Sequence, residues 1–240
     1  MPFLYGIRRE GNFRADLSLV SPRDCIARIS DGSADVALIP ADAVPSLGEA
    51  HPVTGYCIGA AGRSPLALLA GAGTTSEVRR VLFDPDRTAA MRLAAHVLYR
   101  RWNLAPEFAA CPPGEFPDAP DPGDLLLLTG DRAAFRAPQL PLFCDLTAEW
   151  RRLARLPFVF WVWVARAGVD PEWIEGLHNA LTFGIEHTYE ALAESEYASR
   201  LGEAYAYSAA FDYIFDNQKE KALRKFWDAG LKIAPRVNPG

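Results

Sequence analysis

A chain of 240 residues, half of them hydrophobic and 23% charged, is long enough to bury one large core or two smaller ones. Its net charge of −5 argues against nucleic acid as a main partner. The opening stretch MPFLYGIRREGNFRADL has no long apolar core and no small-residue cleavage site, so a signal peptide and a membrane span are not expected and the location expected is cytoplasmic. Cys25, Cys57, Cys111 and Cys144 are far apart in sequence and show no paired metal spacing, so reduced, mostly buried thiols are expected rather than a disulfide framework or a zinc site.

Residues 3–7 (FLYGI) read as a first strand running into a polar stretch, residues 8–12. Ligands in open α/β sheets sit beyond the carboxyl ends of strands, which places this stretch well for binding, although Asn12 after Gly11 also suits a plain turn. Ser21, Pro22 and Asp24 form a helix start, stopped by Asp31-Gly32. Residues 35–40 (DVALIP) read as a short buried strand, with Asp42 beyond it as either a helix cap or a ligand contact. Residues 56–59 and 65–70 are further strands joined by a loop that carries Arg63 and Ser64.

Residues 81–83 (VLF) form a strand, and the polar turn DPDRT leads into a helix with apolar Ala90, Leu93, Ala94, Val97 and Leu98 at spacings of three and four. A helix start offers free N–H groups and a partial positive charge, both suited to a carboxylate. Arg87 adds a guanidinium and Thr88 a hydroxyl, against the plainer reading of a capped helix with a solvated arginine. Residues 111–123 are rich in proline and acids and read as a surface connection. Residues 124–128 and 142–144 are strands.

Asp145 opens a short helix that Leu156-Pro157 ends, and residues 158–164 (FVFWVWV) read as a strand buried on both faces. The indole N–H groups of Trp161 and Trp163 would need partners, which suggests a polar pocket beside this strand. Asp170-Pro171 starts the longest helix, expected to run to about Ala193 with His178 and His187 toward solvent. Helices over residues 195–205 and 218–229 close the chain and carry no chemistry.

The pattern formed by Asp145, Leu146, Trp150, Leu156, Pro157, Phe158, Val159, Phe160, Val162 and Trp163 resembles that of the MqnA family, the chorismate dehydratases of the futalosine route to menaquinone. Trp161 stands where that family usually has a small residue. Gly6 with Asn12, the strand ending at Pro40, Gly62 with Ser64, Arg87-Thr88 and residues 127–131 are further points of similarity. The resemblance implies an α/β fold of the periplasmic-binding-protein type 2 class, two lobes closing on a ligand. The mostly parallel sheets follow from the alternation of strands and helices. The lobes implied are residues 1–80 with 166–240, and residues 81–165.

The function implied is conversion of chorismate to 3-[(1-carboxyvinyl)oxy]benzoate and water, with no cofactor and no metal. The site residues implied are Asn12, which would orient the substrate or bond the leaving hydroxyl, and Pro40, Ala41, Ser64, Arg87 and Thr88, which would bind substrate. The base is open between Glu10, Asp42 and a carboxylate of the substrate itself. The partner expected is the small-molecule substrate, with no nucleic acid and no membrane, on a monomer or homodimer. Two alternatives remain: a cytoplasmic small-carboxylate-binding protein without chemistry, and the sister enzyme 1,4-dihydroxy-6-naphthoate synthase. The sister enzyme uses a histidine base after a second-lobe strand, whereas the second-lobe histidine here, His96, falls inside a helix.

Overall fold

The computed structural model describes residues 2–72, 74–233 and 235–238. In chain order the elements are α1 (Pro2–Arg9), α2 (Pro22–Asp31), β1 (Val36–Pro40), β2 (His51–Ala60), β3 (Ala67–Ala70), β4 (Arg80–Phe83), α3 (Thr88–Trp102), β5 (Glu107–Ala110), β6 (Asp124–Thr129), α4 (Gly130–Phe135), β7 (Leu142–Asp145), α5 (Leu146–Ala154), β8 (Phe158–Ala165), α6 (Pro171–Glu186), α7 (Thr188–Ala193), α8 (Leu201–Ser208), β9 (Asp212–Ile214), α9 (Asn217–Lys225) and β10 (Arg236–Asn238).

The strands form two sheets, ordered β1-β8-β2-β9 and β10-β5-β4-β6-β3-β7. The first is antiparallel throughout its pairings. The second is parallel across β10, β5, β4 and β6, and antiparallel where β3 meets β6 and β7. The first sheet is therefore antiparallel and the second mixed, in place of the mostly parallel sheets expected. Alternation along the chain misleads here because β2 and β3, and likewise β7 and β8, are joined without returning to the same sheet. Sheet membership also differs from the expected division: β3 belongs with the second sheet and β8 with the first. The all-apolar run of β8 is flanked by β1 and β2, so it is an interior strand of its sheet, as its composition requires.

The expected first strand over residues 3–7 is instead α1, with Phe3 and Gly6 buried. A run of five apolar residues does not distinguish strand from helix by period, and the tertiary partner decides. That partner is α6. Gly6 and Gly184 lie at a backbone-to-backbone crossing, where a methyl group on Gly6 would collide with the Ala180 carbonyl and come within 2.8 Å of the Gly184 nitrogen. The long helix is broken at His187, giving α6 and α7. There His187 Nδ1 contacts the Phe183 carbonyl at 2.8 Å and the Thr188 hydroxyl donates to the Ile185 carbonyl at 2.7 Å, so side chains occupy acceptors of the helix itself. His178 does not face open solvent: it stacks on Tyr56 with ring centroids 4.9 Å apart, and its Nδ1 accepts from the Gly55 N–H at 3.3 Å.

Asp145 caps α5, accepting from the N–H groups of Thr147 and Ala148 at 2.9 and 3.0 Å. Trp150 on α5 donates to the Pro157 carbonyl at 2.8 Å and meets Phe158 and Phe226 edge-on. This bond ties α5 to the bend that leads into β8. Cys57, Cys111 and Cys144 are buried free thiols and Cys25 is partly buried. Burial pushes Cys57 and Cys144 up to about 12, so neither is a nucleophile at neutral pH.

Candidate ligand site

Antiparallel partners point to the same face of a sheet, and the register pairs Trp161 with Pro40 on one side and Ile58 on the other. These three side chains form a row across β1, β8 and β2, with Leu38 two residues back on the same face of β1. The row is one wall of a cavity of about 390 Å³. The facing wall comes from the second sheet: Asp86, Arg87, Thr88, Ala89 and Ala90 at the start of α3, with Thr129 and Gly130 where β6 passes into α4. Tyr207 and Phe211 close it from the end of α8. The volume and the mainly apolar lining with a few polar groups suit a small organic ligand.

The start of α3 concentrates the polarity. Its N-terminal flanking residue Arg87 makes no side-chain cap. The first-turn N–H groups of a helix have no partner within the helix, and residues 88–90 all line the cavity. The preceding turn is organised by buried Asp84. Its carboxylate accepts from the Asp86 N–H at 3.0 Å and lies 3.9 Å from Arg87 and 3.7 Å from Arg132. The Arg87 guanidinium also sits 5.6 Å from the centre of the Trp161 ring. It is thus held between a carboxylate of its own turn and an indole of the other sheet, with its side chain still 39% exposed and able to bind an anion.

Thr88 makes a second connection across the cavity. Its hydroxyl donates to Asp42, just past β1, at 3.0 Å. Burial pushes the Asp42 carboxyl up, and the hydrogen bond from Thr88 opposes that shift. The short 3-10 helix that follows, Val44–Ser46, is flanked by Ala43 and has no side-chain cap, so Asp42 is not a helix cap.

Of the six expected site residues, Pro40, Arg87 and Thr88 line the cavity. Ala41 is fully buried and both of its backbone groups are occupied: its N–H donates to the Phe160 carbonyl at 2.9 Å and its carbonyl accepts from Trp227 at 2.8 Å. No donor is left there for a ligand, and Pro40 has no N–H. Ser64 is also buried. Its N–H donates to Asp145 at 2.9 Å and its hydroxyl to the Ala210 carbonyl at 3.3 Å, which makes it a junction between elements and not part of the lining. Asn12 stands in an exposed turn, its N–H and side chain both directed to Glu10, and neither residue lines the cavity.

Trp161 is a cavity wall as expected, but Trp163 is not. It is buried beneath α1, edge-on to Phe3 at 5.9 Å, with its indole N–H unpartnered among the described residues. Sequence reasoning missed Asp86, Thr129, Tyr207 and Phe211. Asp86 was legible as part of the turn before α3. Tyr207 and Phe211 had no local signal, since only tertiary packing brings α8 to the cavity. Among the described lining residues Asp86 carries the only carboxylate.

Two α/β sheets flanked by helices, with a ligand-sized cavity between them, define the architecture of the type 2 periplasmic binding proteins. The structure is similar to protein AF1704 from Archaeoglobus fulgidus, with a TM-score of 0.73 at 16% identity over 96% of this chain and 92% of that one. It is also similar to an ABC transporter from Parabacteroides distasonis, with a TM-score of 0.60 at 14% identity over 98% of this chain and 89% of the other. At such identities the likeness is one of fold. A family model described as menaquinone biosynthesis matches residues 1–231, and the chain belongs to that family. The resemblance to the MqnA family read from its motifs is thereby borne out. Membership supports an enzymatic role in menaquinone biosynthesis. Among the described residues, no helix is long and apolar enough to cross a membrane.

Proposed function

We propose that the protein is a chorismate dehydratase, a hydro-lyase that converts chorismate to 3-[(1-carboxyvinyl)oxy]benzoate and water. The observation that carries the reading is the start of α3 in the cavity wall. Arg87 and the first-turn N–H groups of residues 88–90 offer a carboxylate site opposite the apolar row of Pro40, Trp161 and Ile58. A cyclic, partly apolar acid matches that pairing of walls.

The reaction needs little chemical machinery. A proton leaves the ring carbon that bears the enolpyruvyl ether, the neighbouring hydroxyl departs and takes up a proton to become water, and aromatisation drives the process. Of the two side-chain bases considered from the sequence, Glu10 does not line the cavity, and Asp42 touches it only through Thr88. Asp86 is the chain's own candidate to accept the ring proton, and a carboxylate of the substrate is the competitor. Asp86→Asn abolishes turnover in the first case and leaves it within a fewfold in the second.

The deciding experiment mixes purified protein with chorismate and follows the products by chromatography and mass. The expected result is an aromatic product lighter than chorismate by one water, formed roughly 10- to 100-fold less efficiently by Arg87→Ala. Binding of chorismate without any product would replace the proposal by the second reading, a small-carboxylate-binding protein. The predominance of apolar groups in the lining is the observation that favours that reading.

A further inference from the structure

The hydrogen bond between Thr88 and Asp42 constrains the ligand. A hydroxyl has one hydrogen and two lone pairs. That of Thr88 is spent on the Asp42 carboxylate, 3.0 Å away. Thr88 lines the cavity while Asp42 does not, so what Thr88 offers a ligand is lone pairs. A ligand carboxylate set against them would be repelled, and a ligand O–H would be welcomed. The expectation that Thr88 donates to a substrate carboxylate is thus the wrong polarity for this geometry.

Asp42 is held to this task by its neighbours. The residue before it is fixed by two hydrogen bonds, from the Ala41 N–H to the Phe160 carbonyl and from the Trp227 indole N–H to the Ala41 carbonyl, and the residue after it by the turn in which the Ala43 N–H donates to the Pro40 carbonyl at 3.0 Å. The Arg87 guanidinium, by contrast, keeps exposed surface and suits an anion. Arg87, which flanks α3, and Thr88, which opens it, therefore read opposite chemistries.

We propose that Asp42 is a positioning residue that fixes Thr88 as a hydrogen-bond acceptor, so that the cavity selects a hydroxy-carboxylic acid with its hydroxyl at Thr88 and its carboxylate at Arg87. This rests on the cavity being the ligand site of the reading above, but not on any turnover there.

The test is a thermodynamic cycle between ligand and protein. Calorimetry measures binding of benzoate and of 2-, 3- and 4-hydroxybenzoate to the wild type, Thr88→Ser, Thr88→Val and Asp42→Ala. In the wild type the best-placed hydroxyl is expected to tighten binding by about tenfold, the usual worth of one hydrogen bond in a partly buried site. Thr88→Ser keeps that advantage. Thr88→Val erases it, so that the hydroxybenzoate binds no better than benzoate. Asp42→Ala frees the Thr88 hydroxyl to donate, so the hydroxyl advantage shrinks and benzoate gains.

A wild type that binds benzoate and all three hydroxybenzoates alike, or none of them, overturns the proposal without recourse to any variant. So does a Thr88→Val that weakens benzoate and the hydroxybenzoates equally, since Thr88 would then be holding the carboxylate. The chorismate assay is independent of these outcomes. No turnover with an intact hydroxyl preference removes the dehydratase and leaves this inference standing, and turnover without the preference does the reverse.

Discussion

Arg87 is the residue whose role was most legible in the sequence and whose loss should be felt most. Its place at a strand–turn–helix junction is a local signal, written in DPDRT, and the structure adds the Asp84 and Trp161 contacts that hold it. On the proposed dehydratase reading, Arg87→Ala is expected to cut kcat/KM for chorismate by roughly 10- to 100-fold, as losing a charge-assisted hydrogen bond to a ligand carboxylate does. Arg87→Lys should recover only part of that loss, since an ammonium neither forks across a carboxylate nor stacks on Trp161 as a guanidinium does. Asn12, Ala41 and Ser64 were less legible because a family motif fixes residue type and order, not the partners that occupy a residue's polar groups. Ser64 shows the difference: its N–H and hydroxyl are both satisfied by Asp145 and Ala210. Asp145 in turn caps α5, so Asp145→Ala should lower stability by about 1–2 kcal/mol in urea titrations.

His96 makes a residue-scale prediction about pH. It lies buried on α3, edge-on to Trp150 at 5.5 Å, with Nδ1 unpartnered among the described residues. Burial, and after it the charge of Arg100, hold its imidazole below the usual value of 6.5. The unfolded chain takes up a proton near 6.5 that the folded chain refuses until its own lower value is reached. The contribution of His96 to stability is therefore full above 6.5 and declines as the pH falls from there toward the folded value. Urea midpoints measured on either side of 6.5 should fall on acidification, and His96→Gln should remove that part of the slope.

At the scale of elements, strong patterns survived and short ones did not. The seven-residue run of β8 and the proline that precedes it admit one interpretation, a buried interior strand, and that is its place. The five-residue run near the N-terminus admits two, and the choice of helix is made by α6, far along the chain at Pro171–Glu186. Gly6 and Gly184 are the signature of that choice: they let two helix backbones touch, which no strand in that position would need. Gly6→Ala is accordingly expected to destabilise the protein by about 1–3 kcal/mol or more, although alanine is the better helix former in isolation. A circular-dichroism melt separates the two effects, because propensity alone would raise Tm and the clash lowers it.

For the whole molecule, alternation of strands and helices was enough to identify an α/β protein, and the family resemblance supplied the two lobes and the cavity between them. Strand direction was not recoverable in the same way. A connection such as residues 61–66, between β2 and β3, looks like any other loop, yet it carries the chain from one sheet to the other. Composition records how deeply a strand is buried, and nothing in it records which sheet the strand will join.

That threading bears on the order in which the protein assembles. Five of the six strands of the second sheet, β3 to β7, come from one uninterrupted stretch of chain, residues 67–145. The first sheet has to wait for β8 to separate β1 from β2, and for β9 to complete its edge. Loop-closure entropy makes such distant pairings slow. A nascent chain would have its second sheet in hand while β1 and β2, already synthesised, still lacked the strand that joins them. Pulse-labelled hydrogen exchange during refolding should find the amides of β4 and β6 protected before those of β1 and β2. The interval between the two is when the apolar edges of β1 and β2 are open to aggregation, and when a chaperone would have something to hold.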